Sequence, residues 1–412
     1  MIPPPSPDGS QPPTAFGIAA AVRAGELDWR APATRSLDQL WTNQGKLHAT
    51  ITLMNDIQKG HEAELREGPL AGVPLLIKDV IDTAQLRTTY GSSIYRTHAP
   101  TADAQCVILL ERAGAVVVGK ANLHEFAWGL SSQNPHWGNV VNPRDPALTP
   151  GGSSGGNAAA VAAGLVPAGL ATDTAGSIRV PSACCDVVGF KPANGTVAMA
   201  GVFPLAPSLD CVGPITSTVQ DCELLYSVLT GVPAKPPDWR TLAVAATTEE
   251  LVQRLHQVGL HARLRTQPLP PANCAAILPW EAWRTHHLLV ARHASNYGKD
   301  VLAKLQAASR VTHSAYAEGR ESAIQWRRTE QASTDYDVLV TPTLPCAVPE
   351  ADMDELAVRD ALGRNVRWVN LLGWAAISIG PVQVTGPGNR QVLSVASRLE
   401  TVYGHGHHPS EP

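Results

Sequence analysis

Two small-residue clusters and one lysine carry the side-chain types from which nucleophilic chemistry can be built. The first cluster, Gly151-Gly152-Ser153-Ser154-Gly155-Gly156, is made only of glycine and serine. Glycine admits backbone angles that other residues resist, so this stretch reads as a tight turn carrying hydroxyls. Asn157 to Leu165 follows as a helix, and helix N-termini hold unpaired N–H groups that favour negative charge. The second cluster, Thr172-Asp173-Thr174-Ala175-Gly176-Ser177, again joins hydroxyls to small residues. Such a stretch lets consecutive backbone N–H groups face a ligand. Taken alone, both clusters also fit two glycine-rich loops packed closely against their neighbours. No Gly-Lys-Ser/Thr follows, so the Walker phosphate pattern is absent. Gly151 to Gly155 formally meets G-x-S-x-G, but Asn142-Pro143-Arg144-Asp145-Pro146 does not read as the strand that a nucleophile elbow needs.

The lysine lies upstream. Val73-Pro74-Leu75-Leu76-Ile77 reads as a short buried strand ending at Lys78-Asp79. A lysine there either snorkels to solvent along its apolar stem or stays buried as an amine of lowered pKa that can act as a base. The local residues leave both readings open.

The surrounding pattern alternates strands and helices and predicts an α/β fold. Residues 14 to 65 are helical in pattern, and Gly68-Pro69 marks a break before the lysine strand. Residues 103 to 113 form an amphipathic helix and Ala115 to Val118 a buried strand. Val187 to Phe190 is a strand, Gly201 to Leu205 and Ser208 to Ile215 are loops, and Val219 to Leu229 is a helix. From about Gly231 the chain turns Pro-rich, as a linker does. Glu249 to Val258 is helical, 281 to 330 is a long helical stretch, and Tyr336 to Val340, Ala375 to Ile379 and Gln391 to Ala396 read as late strands. No internal repeat appears.

Composition narrows the function classes. The chain has 412 residues, 44% hydrophobic, with a formal net charge of -4, enough to bury a large core. No Lys/Arg run or basic stripe points to nucleic acid, and no apolar run reaches membrane-spanning length. The opening MIPPPSPDGSQPP has neither a charged n-region nor an apolar h-region, so a flexible lead-in is expected there rather than a signal peptide. Seven cysteines, Cys106, Cys184, Cys185, Cys211, Cys222, Cys274 and Cys346, are odd in number and irregular in spacing. They suit reduced core thiols and a cytoplasmic location. His286-His287 and the tail His405, His407 and His408 match no zinc pattern, so neither metal nor cofactor is expected.

The segment VPLLIKD (Val73 to Asp79), then GGSSGG, then DTAGSIR (Asp173 to Arg179) closely resembles the amidase signature family of amide hydrolases. Lys78 to Ser153 is 153 − 78 = 75 residues and Ser153 to Ser177 is 177 − 153 = 24, and both separations agree with the family pattern. The resemblance runs from about residue 35 to 230 and returns at Asp335 to Pro345. It implies a single large α/β domain over 14–400, with a central mixed β-sheet flanked by helices. The part shaping the substrate pocket would fall at about 231–335, between a flexible N-terminus (1–13) and a flexible tail (401–412). It also implies a Ser–cis-Ser–Lys triad: Ser177 as nucleophile, Ser153 as bridging serine after a cis Gly152–Ser153 peptide, and Lys78 as base. A serine hydroxyl needs such a base, a lysine serves only when neutral, and a hydroxyl that both donates and accepts can relay the proton between them.

The oxyanion would face the backbone N–H groups of Thr174, Ala175, Gly176 and Ser177. Many relatives carry Gly at the place of Ala175, where a positive φ would suit Ala less well. Asp173 and Arg179 read as a supporting pair. Trp128 is either a wall of the acyl pocket or core packing, and Ser131 and Ser132 are placed around the triad. The stretch after Gly231 is shorter than in many relatives, and Asn370 to Ser378 resembles the family without a proline common near Ala375. The expected reaction is hydrolysis of a small-molecule amide to a carboxylate plus ammonia or an amine, with a homodimer compatible. Two alternatives stand beside it: a glutamine-using transamidation subunit that works with a partner on aminoacyl-tRNA, and hydrolysis of urea-like or carbamate substrates.

Overall fold

The computed structural model describes residues 13–57, 62–233 and 236–403. The proline-rich start up to residue 12 and the chain beyond 403, with its histidines, lie outside these; Thr401–Tyr403, expected in the tail, close the helix Asn389–Tyr403. Eleven strands form one mixed sheet: β1 (Thr50–Leu53), β2 (Pro74–Lys78), β3 (Val116–Ala121), β4 (Ala168–Asp173), β5 (Val188–Lys191), β6 (Cys211–Thr216), β7 (Val244–Ala246), β8 (Ala262–Leu264), β9 (Val338–Pro342), β10 (Ala375–Ile379) and β11 (Val382–Gly386). Their order across the sheet is β1-β3-β2-β4-β6-β5-β10-β11-β9-β7-β8. Helices flank it, so the single α/β domain with a central mixed sheet is the observed architecture.

The strands that carry Lys78 and open the second Gly/Ser cluster lie in one of the sheet's two parallel stretches. β2 pairs in parallel with β3 on one side and with β4 on the other, with Leu75 opposite Ala168 and Ile77 opposite Leu170. Parallel strands are covered on both faces, which is why they read as unbroken apolar runs. Leu75, Leu76 and Ile77 are fully buried, each side chain contributing roughly 1.5–3 kcal/mol of burial. This pairing brings the C-terminal ends of β2 and β4 to the same edge, the place where open α/β sheets put their ligands. Lys78 closes β2 and Asp173 closes β4.

Several elements differ from the sequence reading. The helical pattern over 14–65 contains β1, a four-residue edge strand whose antiparallel partner β3 lies far along the chain. Cys211–Thr216 is a central strand, not a loop; paired with both β4 and β5, it tolerates Gly213 and Pro214. Gln391 to Ala396 belongs to the helix Asn389–Tyr403, and β11 takes the strand position instead. There the buried residues Val392, Leu393, Val395, Ala396 and Leu399 follow a helical stripe. The long helical stretch is three helices, Ile277–His293, Lys299–Ala308 and His313–Ser333. Among the described residues no helix is long and apolar enough to cross a membrane.

Candidate active site

Lys78 is wholly buried, and its Nζ donates to Ser153 Oγ at 2.8 Å, to Thr172 Oγ1 at 2.8 Å and, more weakly, to Thr172 O at 3.4 Å. The snorkelling reading is therefore excluded. Burial pulls its pKa down to about 7, against the opposing pull of Asp173 and Asp210. Hydroxyls and a carbonyl, not carboxylates, are its hydrogen-bond partners, so nothing in direct contact restores a full proton affinity. Thr172 follows from strand geometry: it stands on β4, the parallel neighbour of β2.

Ser153 is fully buried and follows a cis Gly152–Ser153 peptide. Its carbonyl accepts from Ser132 Oγ at 3.2 Å and from His124 N at 3.1 Å. Ser132 Oγ also accepts from Gly155 N at 3.0 Å, so it ties both sides of the turn. Ser131 lies one step away, at 3.3 Å from His124 Nδ1. The helix Gly155–Ala162 starts immediately after the turn, and Asn157 Nδ2 donates to Leu76 O of β2 at 2.9 Å. The helix thus fixes the first loop to the lysine strand.

Ser177 sits on the loop between β4 and the helix Arg179–Cys185 and is nearly buried. Its carbonyl accepts from Ser154 N at 3.2 Å, which joins the two Gly/Ser loops directly. Asp173 organises this second loop. Its Oδ1 accepts from Gly176 N at 2.8 Å, from Arg179 Nη2 at 3.1 Å and from Asn370 Nδ2 at 2.9 Å. Its Oδ2 accepts from Ile178 N at 3.1 Å and Arg179 Nε at 3.0 Å. Burial opposes ionisation of Asp173, but Arg179 overrides it and holds the carboxyl well below the usual range. Arg179 is itself buried and completes its fork on Asn370 Oδ1 at 2.7 Å and Gln383 Oε1 at 3.1 Å.

Of the four backbone N–H groups expected to face an oxyanion, Gly176 is already committed to Asp173. Thr174, Ala175 and Ser177 N–H have no hydrogen-bond acceptor among the described residues. The left-handed backbone falls on Gly176, at φ +117°, where a Cβ would overlap Val366. Ala175 does not share it, so alanine there meets no conformational obstacle. Thr174 is held from its side chain, its Oγ1 donating to Asp210 Oδ1 at 2.6 Å.

Trp128 is buried in the main core cluster, with Lys304 Nζ 6.0 Å from its ring centroid and bonded to its carbonyl. Six of the seven cysteines are buried and only Cys346 is exposed. Burial pushes the Cys106 and Cys184 thiols up to about 12, as expected of inert core thiols. Among the described residues no His/Cys/Asp/Glu group is arranged to hold a metal ion.

Four polar partners of the site were not assigned from sequence: Thr172, Asp210, Asn370 and Gln383. Thr172 stood inside the second cluster, and Asn370 opened a segment that already resembled the family. Asp210 and Gln383 carried no local signal.

Known proteins share this framework. The Amidase family model matches residues 34–278, more than half of the chain. The A-type chain of the glutamyl-tRNA(Gln) amidotransferase of Desulforapulum autotrophicum is 43% identical over 225 residues, covering 53% of this chain and 46% of that protein. The indoleacetamide hydrolase of Pseudomonas syringae pv. syringae is 45% identical over 192 residues, covering 44% and 43%. The matched part spans about half the length of these curated relatives. A crystal structure of an amidase superposes with a TM-score of 0.85 at 26% identity, covering 95% of this chain and all of that one. The chain belongs to the amidase family.

Proposed function

We propose that this chain hydrolyses a carboxylic amide through an acyl-enzyme on Ser177, with Ser153 as relay and Lys78 as base. The observation that carries this reading is the buried Lys78 amine, 2.8 Å from Ser153 Oγ, with its pKa lowered to about 7. Once Lys78 is neutral, its two N–H groups can face Thr172 Oγ1 and O, leaving the lone pair for the Ser153 hydroxyl. Ser153 passes its proton to Lys78 and takes that of Ser177, and Ser177 Oγ attacks the amide carbon. The N–H groups of Thr174, Ala175 and Ser177 are those free to receive the developing oxyanion. The relay then runs backwards: Ser153 protonates the leaving nitrogen and is itself reprotonated by Lys78, and ammonia or an amine departs. Water attacks the acyl group by the same relay and releases a carboxylate. The segment 231–335 shapes the substrate side.

The amidotransferase relatives support a second reading, in which ammonia released at Ser177 passes to a partner that works on aminoacyl-tRNA. A panel of aliphatic, aryl, amino-acid, urea-like and carbamate substrates, assayed for ammonia or amine with the purified chain, separates the two. Turnover by the chain alone supports the hydrolase. Turnover only with a second protein and tRNA supports the amidotransferase. Ser177→Ala abolishes either activity while leaving the melting temperature unchanged; substantial residual turnover in that variant removes Ser177 as nucleophile.

A further inference from the structure

A groove of about 570 Å³ opens beside Pro207 and Ser208, within the size range of small-molecule sites. Trp280 and Tyr316 stack along it with ring centroids 3.9 Å apart and planes 11° apart. Glu281, only 5% exposed, is its polar anchor. Its Oε1 accepts from Tyr316 Oη at 3.1 Å and Arg320 Nη1 at 3.3 Å, and its Oε2 from Ser208 N at 2.9 Å. That carboxylate pairs with Arg320, and a second guanidinium, Arg284, lines the same groove. Arg284 lies 5.9 Å from the Trp280 centroid and, among the described residues, has no carboxylate within ion-pair distance. The groove carries an uncompensated positive charge (2 − 1 = +1) beside a stacked aromatic pair, in a chain of net charge -4.

The same loop joins this groove to the catalytic loop. Ser208 lines the groove, and two residues on, Asp210 accepts from Leu205 N, Ala206 N and, at 2.6 Å, Thr174 Oγ1. Thr174 lies three residues before Ser177 in the chain.

From this arrangement we infer that the groove takes a flat, anionic part of the substrate: a carboxylate on an aromatic or otherwise conjugated frame, seated against Arg284 beside the Trp280–Tyr316 pair. The guanidinium supplies charge-assisted, planar recognition of the carboxylate, and the aromatic pair supplies apolar surface for the conjugated frame. This rests on the amide-hydrolase reading, and its test is arranged to fail separately from it.

The Ser177→Ala protein is titrated calorimetrically with 4-carbamoylbenzoate and with its neutral methyl ester. The acid binds roughly tenfold or more tightly than the ester, as expected of a hydrogen bond to a charged group. Arg284→Gln removes that difference and Arg284→Lys restores part of it. Arg310→Gln, which alters an exposed arginine outside the groove, keeps it. Equal affinities for acid and ester, no acid binding at millimolar concentration, or a preference that survives Arg284→Gln would overturn the inference. Turnover is read separately with unmodified protein. Preferential acid binding without ammonia release from this compound or from the substrate panel leaves the groove standing and removes the hydrolase reading. Ammonia release from both compounds, with equal affinities, does the reverse.

Discussion

Lys78 Nζ and Ser153 Oγ stand 2.8 Å apart in a site where both side chains are fully buried. The lysine's other close partner is Thr172 Oγ1, also at 2.8 Å. A buried amine held by hydroxyls gives up its proton near neutrality, which is the condition for a lysine to serve as base.

The pH dependence follows with a definite sign. Burial lowers the Lys78 pKa to about 7, and only the neutral amine accepts a proton. The rate constant kcat/KM therefore rises with pH to a plateau above about 7 and falls roughly tenfold per unit below it. A pH–rate profile checks this; a flat profile well below neutrality contradicts a lysine base.

Lys78→Arg separates base from cation. A guanidinium keeps the positive charge but does not deprotonate in proteins. The expected loss is roughly a hundred- to ten-thousandfold in kcat, the range assigned to general acid–base catalysis. Activity within tenfold of the parent would mean that charge alone suffices.

Thr172→Val removes a hydroxyl from Lys78 while nearly keeping side-chain shape. One lost hydrogen bond predicts a fall of about tenfold in kcat/KM. The melting temperature should move far less than it does in Asp173→Asn. Unchanged kinetics would place Thr172 outside the lysine's functional surroundings.

Asp173→Asn tests the pair that organises the Ser177 loop. It leaves Arg179 buried with only neutral partners, and the expected cost is roughly 3–5 kcal/mol in denaturant unfolding. In the parent, the folded Asp173 carboxyl lies below its usual range despite burial, held there by Arg179. Its stabilisation is thus full above the unfolded value of about 4 and is lost as pH falls toward the folded one. A variant as stable as the parent at neutral pH would contradict this.

Gly156→Ala sets helix propensity against close approach. Alanine within the helix Gly155–Ala162 would gain about 1 kcal/mol from propensity. Its Cβ, however, would overlap Asn122 O and Ala49 O and lie 2.7 Å from Asn122 N. These are backbone atoms that cannot rotate aside, so overpacking of about 1–3 kcal/mol at its upper end prevails. The unfolding midpoint should fall; a rise would show that the backbone yields easily.

What was legible in the sequence was whatever is local. Lys78 at the end of an apolar run, the Gly/Ser turn and the DTAGSIR loop are each contiguous, and Asp173 and Arg179 lie close enough in sequence to be paired by inspection. The missed partners come from elsewhere. Asn370 reaches Asp173 across 197 residues and Gln383 reaches Arg179 across 204, and such contacts leave no pattern in either segment. Strand order was illegible for the same reason: β10 and β11 return to pair with β5 and β9 through contacts that only the folded sheet defines. The Gly176 N–H was assigned to an oxyanion because its position suits one, yet an Asp three residues earlier captures it. Gln391 to Ala396 misled because its apolar residues are compatible with both periods, and burial against the sheet as a helix decided between them.

The most direct measurement maps the covalent intermediate. The protein is mixed with an activated aryl ester, quenched early in turnover and digested, and the acyl adduct is located by mass spectrometry. The triad predicts one adduct, on the peptide carrying Ser177, absent from Ser177→Ala. Turnover with the adduct on Ser153, on a cysteine or on no residue would contradict it.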